Sequence, residues 1–161
     1  MTDAAVLEAL GRSLLAVELD ADQKARLAEA MSVRSLREGE VLIPEGVADD
    51  CLYVVATGVL GVVKGHGAAD AITLSTVLPG GVAGELSFLD SSKRYASLVA
   101  LSDTRVLGLT RGELEAFIDK DPQLLYRVMR GIVRIVHEVQ RRLSMQNAEL
   151  TNYLYKTHGR Y

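Results

Sequence analysis

The feature that most restricts the fold of this chain is a series of short apolar runs between residues 33 and 109. These runs are rich in β-branched residues and read VRSLREGEVLIPEG, DDCLYVVATGVLGVV, DAITLSTVLPGG and YASLVALSDTRVLGL. Turn signals containing glycine or proline separate one run from the next. Strands of this length at this spacing favour an all-β roll, sandwich or barrel over strands that alternate with helices.

Helical patterns flank the strand region on both sides. Residues 1–32 are predicted to form N-terminal helices, because Asp20 and Gln23 have the spacing of a capping box before an apolar stripe. A second capping box, Thr110 with Glu113, starts the C-terminal helices predicted over residues 110–155.

The last predicted helix carries a heptad pattern. It starts with Asp121 as the N-cap and Pro122 at the first helical position. The seam steps by four and three residues through Leu125, Met129, Ile132, Val136, Val139, Leu143, Gln146 and Leu150. A sustained 3.5-residue period is typical of a two-chain helical seam. A single helix that lies on its own domain is the alternative, but the strict spacing leads us to predict a parallel homodimer through the helix from Leu125 to Leu150.

Composition indicates a single ordered domain over residues 1–161. Hydrophobic residues make up 48% of the chain and charged residues 24%, which is ordinary for a globular protein. No apolar run is long enough to span a membrane, and the N-terminus lacks the pattern of a secretory signal. Cys51 has no second cysteine to pair with. These observations predict a cytoplasmic protein.

The charges are unevenly distributed. Residues 1–120 carry 11 Lys and Arg against 18 Asp and Glu, whereas residues 121–161 carry 7 against 3. The basic segment has three interpretations: a solvated helix face, a surface for an acidic partner, or a surface for the acidic body of the same protein.

The segment GELSFLDSSKRYAS, residues 84–97, resembles neither ordinary core nor ordinary loop. Glu85 follows a glycine, and Arg94 lies nine residues later, after a short apolar run and a polar turn. By itself the pattern allows a purely structural interpretation, in which Glu85 caps a short helix and Arg94 pairs with Glu85 or Asp90 on the surface.

Together with the element order, this segment resembles the phosphate-binding cassette of the cyclic-nucleotide-binding domain family. Further markers are REGEVLIPEG at 37–46, LYVVATGVLGVV at 52–63 and LPGG at 78–81, and the resemblance covers residues 14–150. It implies an α+β fold: an antiparallel β-roll, or double-stranded β-helix of jelly-roll type, with N-terminal helices and a long C-terminal helix. It also implies a regulatory domain that binds cAMP or cGMP.

The resemblance implies a role for each cassette residue. Arg94 would pair with the ligand phosphate, and Glu85 would accept a hydrogen bond from the ribose 2′-hydroxyl. Gly84 would allow close backbone approach, and the start of a short helix would direct backbone N–H groups at the phosphate. The implied ligand-binding set is Gly84, Glu85, Leu86, Ser87, Arg94, Tyr95 and Ala96.

Tyr95 departs from the family pattern, which has a small residue or threonine directly after the arginine. The tyrosine can point outward, contribute its hydroxyl, or fill the pocket, so that the domain has lost or changed its ligand. The last case leads to a second hypothesis, a degenerate module that acts as a dimeric scaffold. The residue that covers the base has two candidate pairs on the long helix, Val139 with Gln140 and Gln146 with Asn147.

Other functional classes find little support in the sequence. No nucleophile pairing or cluster of metal-ligating residues is visible, so we predict neither an enzyme nor a metal site, and no cofactor besides the nucleotide. Only eleven residues follow Leu150, too few for a helix-turn-helix, so we expect no sequence-specific DNA binding. The output would then pass through the dimer interface or a protein partner.

Overall fold

A computed structural model describes residues 4–158 and shows a β-roll with helices on one side. The helices are α1 (Ala4–Arg12), α2 (Ala21–Ala30), α3 (Glu85–Asp90), α4 (Arg111–Glu115), α5 (Phe117–Lys120) and α6 (Pro122–His158), with a 3-10 turn at Leu14–Ala16. The strands are β1 (Ser32–Leu36), β2 (Val41–Ile43), β3 (Cys51–Thr57), β4 (Leu60–Lys64), β5 (Ile72–Val77), β6 (Val82–Ala83), β7 (Ser97–Ala100) and β8 (Thr104–Thr110).

The strands form two four-stranded sheets in which every pairing is antiparallel. The orders are β1-β8-β3-β6 and β2-β7-β4-β5. Early strands pair with late ones: Tyr53 on β3 lies opposite Gly108 on β8. Apart from β4 and β5, which are consecutive, neighbouring strands in each sheet come from distant parts of the chain, as a roll requires. The predicted α+β class, with an antiparallel roll between N-terminal helices and a long C-terminal helix, is confirmed.

Strand β3 separates two cores because its side chains alternate in direction. Cys51, Tyr53 and Val55 belong to the core between the two sheets. Leu52 and Val54 belong to a second core shared with α1, α2 and the first part of α6. The molecule thus has three layers, helices, first sheet and second sheet, and β3 is buried on both faces.

The predicted helix starts are confirmed at the level of hydrogen bonds. Both the Asp20–Gln23 and the Thr110–Glu113 capping boxes are reciprocal. At α6, the Asp121 carboxylate accepts the Leu124 N–H at 3.1 Å. These caps satisfy backbone donors that no helical carbonyl can reach.

Helix α6 has 37 residues and extends past the body of the domain. Its first part packs on the helical core through Leu124, Val128, Ile132 and Ile135. From residue 137 to residue 157 every residue is exposed. The heptad prediction is therefore wrong for its first part: Ile132 is fully buried within its own domain, and Leu125 and Met129 pack against the same core. Among the heptad positions, those from Val139 onward are exposed and free to meet another chain.

The first basic residues of α6 pair with the N-terminal helical region. Arg130 Nε lies 2.9 Å and Arg134 Nη2 2.7 Å from the Glu18 carboxylate. Arg127 donates to the side-chain oxygen of Gln23 at 2.7 Å. For this part of the basic segment, the acidic body of the same protein is the partner.

None of the helices within residues 4–158 combines the length and the apolar character needed to cross a bilayer.

Candidate functional site

The short helix α3 opens the cassette, and its position follows from one buried aromatic residue. Phe88 lies in the helical core, while Ser87 beside it is also buried. Leu86, one of the predicted binding residues, is on the exposed side of the same helix. The cassette therefore rests against the body of the domain through one face and presents the other to solvent.

Gly84 precedes α3 in a left-handed conformation, with φ at +85°. A Cβ at this position would lie 2.3 Å from Nη1 and 2.9 Å from Cζ of Arg94. The guanidinium of Arg94 therefore lies directly on the glycine backbone. Two independent reasons require glycine here, the positive φ and the contact with Arg94.

Arg94 is buried, with its side chain only 5% exposed. Its Nη2 donates to the Asp49 carboxylate at 3.1 Å and to the Cys51 carbonyl at 2.6 Å. Its Nε is buried without a hydrogen-bond partner among residues 4–158. The interpretation that Arg94 pairs with Glu85 or Asp90 on the surface is wrong, because its partner is Asp49 in the interior.

Asp49 is a residue of the site that the sequence analysis missed. Its carboxylate accepts the Cys51 N–H at 2.9 Å, the Tyr53 hydroxyl at 3.2 Å and the Arg94 guanidinium. The first of these bonds has a local signal, since an aspartate two residues before a strand often makes it. The pairing with Arg94, across 45 positions, has none.

Backbone pairing brings Asp49 and Arg94 together. Gly46 N–H donates to the Arg94 carbonyl at 2.8 Å, and Arg94 N–H donates to the Val47 carbonyl at 2.9 Å. Ala48 forms a β-bridge with Lys93. The segment before β3 and the turn after α3 thus run side by side, which fixes the distance between the two charged groups.

Glu85 lies half-buried at the start of α3. Burial raises the pKa of its carboxyl above the ordinary value near 4.5; a hydrogen bond from its own backbone N–H and the positive charge of Arg94 only partly oppose this. No ion pair joins Glu85 to Arg94 within the described part of the chain. The carboxyl is therefore placed to accept a hydrogen bond from another donor.

Tyr95 has an exposed side chain, at 62% of its full accessibility. This exposure favours the outward orientation among the three alternatives. The hydroxyl end of the side chain is partly desolvated, and this and, secondarily, the charge of Glu85 raise the pKa of the hydroxyl. Its backbone carbonyl accepts a hydrogen bond from the Lys64 ammonium at 2.9 Å.

The remaining predicted residues divide between core and solvent. Ala96 is buried in the core between the sheets, where its side chain serves packing. Val139, Gln140, Gln146 and Asn147, proposed to cover the base, are all exposed on the extended part of α6. Within residues 4–158, no group of three or more His, Cys, Asp or Glu residues is arranged to hold a metal ion.

Comparison with known proteins finds the same architecture. The sequence pattern of the family described as "Cyclic nucleotide-binding domain" matches residues 33–121. This chain belongs to that family. The resemblance drawn from the cassette and the strand markers is therefore confirmed.

Two curated relatives and one solved structure illustrate the similarity. The Cyclic AMP receptor protein of Thermus thermophilus is 30% identical over 112 residues, 70% of this chain and 52% of the relative. The cAMP-dependent protein kinase regulatory subunit of Blastocladiella emersonii is 31% identical over 67% of this chain and 27% of the relative. A cyclic nucleotide-binding domain from Methylobacillus flagellatus superposes with a TM-score of 0.75 at 25% identity, covering 86% of this chain and 78% of that structure.

The chain thus spans about half the length of the first relative and about a quarter of the second. The family pattern over residues 33–121 includes the β-roll that contains the cassette.

Proposed function

We propose that this chain is a regulatory domain that binds cAMP or cGMP at residues 84–97 and passes the state of the site to α6. The observation that carries the proposal is Arg94, a buried guanidinium with a buried Nε donor that no described residue satisfies. An unpaired buried donor is costly unless a ligand accepts its hydrogen bond. The relatives named above support a nucleotide as that ligand.

Arg94 binds the cyclic phosphate in this proposal. Its Nη2 is already held by Asp49 and Cys51, so the planar fork is oriented before the ligand arrives. A phosphate oxygen placed at Nε gains a charge-assisted hydrogen bond. Lysine would not reproduce this arrangement, since it offers a point charge instead of a fork.

Glu85 recognises the ribose. A 2′-hydroxyl is a neutral donor, which suits a carboxylate that has little solvent around it and no ion-pair partner in the described structure. A 2′-deoxy ligand would lack the hydroxyl donor for this half-buried carboxylate, so the site discriminates against it.

Calorimetry with cAMP and cGMP tests the proposal. We expect at least one nucleotide to bind the wild-type protein at micromolar concentration, and Arg94→Lys to lose roughly 2–5 kcal/mol of binding free energy. An exposed arginine on β1, Arg34, provides the control variant Arg34→Ala, which should bind normally. Circular dichroism checks that each variant is folded. Absence of binding of both nucleotides to folded wild-type protein would refute the proposal.

A second function, a dimeric scaffold that ignores nucleotides, is favoured by one observation. Val139, Leu143 and Leu150 form an exposed apolar stripe on the part of α6 that leaves the domain. The scaffold hypothesis predicts dimers of equal stability with and without nucleotide. A dimer whose dissociation constant changes on addition of the bound nucleotide would exclude it and support the relay to α6.

A further inference from the structure

Arg111 connects the cassette to the C-terminal helices. It is the first residue of α4 and directly follows β8. Its Nε donates to the Phe88 carbonyl at 3.0 Å, and its Nη2 donates to the Ser91 hydroxyl at 2.6 Å. Both acceptors belong to the C-terminal end of α3 and the residue that caps it. A side chain from outside the cassette therefore closes its helix.

The C-terminal end of α3 needs such a partner. The last carbonyls of a helix have no N–H within the helix, and a cation near them is favourable. With six residues, α3 is too short to be stable by itself. The Arg111 guanidinium accordingly supplies a hydrogen-bond donor and a positive charge where the helix lacks both.

The backbone of Ser91 is strained, so the contact with Arg111 is one of the interactions that can hold it in this conformation. Ser91 has φ at +60° and is the only non-glycine residue with positive φ among the described residues. This conformation costs a residue with a side chain about 1 kcal/mol or more, and it persists only where surrounding contacts hold it. Ser91 begins the turn that leads to Arg94, so its conformation sets where the guanidinium lies.

The backbone of Arg111 contacts the other side of the site. Its N–H donates to the Asp50 carbonyl at 3.1 Å. Asp50 adjoins Asp49, the carboxylate that orients Arg94. One residue is thus bonded both to the end of α3 and to the segment that holds the phosphate-binding arginine.

We propose that Arg111 is a positioning residue for nucleotide binding: by holding Phe88 and Ser91 it fixes the cassette, and it transmits the ordering of the cassette to α4. This inference rests on the proposed function for its ligand. A ligand that orders α3 thereby orders the first turn of α4, the element from which α5 and α6 continue.

The test compares Arg111→Ala, Arg111→Lys and the control Arg34→Ala. Calorimetry should show affinity for the bound cyclic nucleotide about tenfold lower in Arg111→Ala, the loss expected for charge-assisted hydrogen bonds. Arg111→Lys, which keeps the charge and can serve one acceptor, should fall in between. In wild-type protein the nucleotide should slow amide hydrogen exchange in both α3 and α4, and in Arg111→Ala it should slow exchange in α3 alone.

Three results would each overturn the inference. Arg111→Ala could bind the nucleotide with wild-type affinity, or it could lose no more affinity than Arg34→Ala. The nucleotide could also still slow amide exchange in α4 of Arg111→Ala. Amide hydrogen exchange in the nucleotide-free proteins tests the positioning role of Arg111 separately from the proposed function. We expect residues 91–94 to exchange faster in Arg111→Ala than in Arg34→Ala even when no nucleotide is added. If wild-type protein binds neither nucleotide, the proposed function fails, and equal exchange rates at residues 91–94 would then also reject the positioning role.

Discussion

At the scale of single residues, the site depends on a buried guanidinium that is fully constrained on one side. Asp49 and Cys51 hold Nη2 of Arg94, and the backbone of Gly84 lies against the rest of the fork. A buried ion pair of this kind adds little net stability, but removal of one partner is costly because the other charge stays buried and unpaired. Substitutions that displace the guanidinium should therefore affect folding and binding together.

Gly84→Ala should be far more damaging than Gly39→Ala. Both glycines have φ near +85°, so alanine introduces similar backbone strain, about 1–2 kcal/mol, at each position. At Gly39 a Cβ meets no atom within 4 Å, whereas at Gly84 it overlaps the Arg94 guanidinium. We expect Gly84→Ala to lose about 3 kcal/mol more in urea denaturation, because the pair with Asp49 must break. Equal losses in the two variants would contradict this account.

Glu85→Gln should raise stability while weakening nucleotide binding. Burial raises the pKa of Glu85 in the folded protein, so the wild-type carboxyl favours folding below its ordinary pKa near 4.5 and loses that contribution as pH rises through the raised value. Thermal unfolding at neutral pH should therefore show Glu85→Gln melting above wild type, with the difference vanishing below pH 4.5. A difference that is independent of pH would disprove the assignment.

At the scale of elements, α6 contains a glycine that allows close packing although glycine is a poor helix former. Gly131 interrupts the heptad pattern in the middle of the helix. A Cβ there would lie 2.7 Å from the carbonyl oxygens of Leu14 and Leu15 in the 3-10 turn. The absence of a side chain lets the helix approach the backbone of that turn, and Arg130 and Arg134 pair with Glu18 just beyond it.

Gly131→Ala should destabilise the protein although alanine is the better helix former. Propensity alone predicts a gain of about 1 kcal/mol, but the overlap with two carbonyl oxygens should produce a net loss of about 1–3 kcal/mol. The matched control is Gly11→Ala in α1, where a Cβ meets no atom within 4 Å and a gain of about 0.5 kcal/mol is expected. Chemical denaturation measures both. A stabilised Gly131→Ala protein would show that the helix and the turn do not pack this closely.

At the scale of the whole molecule, the three layers leave the far part of α6 uncovered, and this part carries an apolar stripe. Core positions of α6 are satisfied by the domain up to Ile135, after which Leu143 and Leu150 are 56% and 59% exposed. The stripe continues the heptad pattern, so its spacing suits the same stripe of a second copy. The homodimer predicted from the sequence remains our proposal, restricted to the part of α6 beyond residue 137.

The double variant Leu143→Glu/Leu150→Glu should convert a dimer into a monomer in sedimentation velocity experiments. Charges at seam positions repel across a two-chain interface, while neither residue contributes to the buried core, so thermal stability of the monomer should be retained. Met145→Glu is the control, since Met145 is exposed but lies off the stripe. Wild-type protein that sediments as a monomer, or dissociation caused equally by Met145→Glu, would reject this interface.

The fold could be predicted largely from local patterns. Short β-branched runs bounded by glycine or proline, capping residues and Pro122 act on neighbours within about four positions, and these local relations do not depend on distant parts of the chain. Recognition of the cassette likewise needed only residues 84–97 and their spacing, together with the strand markers. Patterns of this kind depend on residues close together in the chain, which is why the strands, the helix starts and the family were predicted correctly.

Contacts between distant segments were decided by the tertiary structure alone. The pairing of Asp49 with Arg94, the approach of Gly131 to Leu14 and the reach of Arg111 to Ser91 each join residues that no periodicity relates. The heptad also failed to show which of its positions face the domain, because a seam against another chain and a seam against one's own core have the same apolar spacing. The sequence determined the strands, the helix starts and the cassette, whereas the path of the chain through space determined which charges meet and which apolar faces are covered.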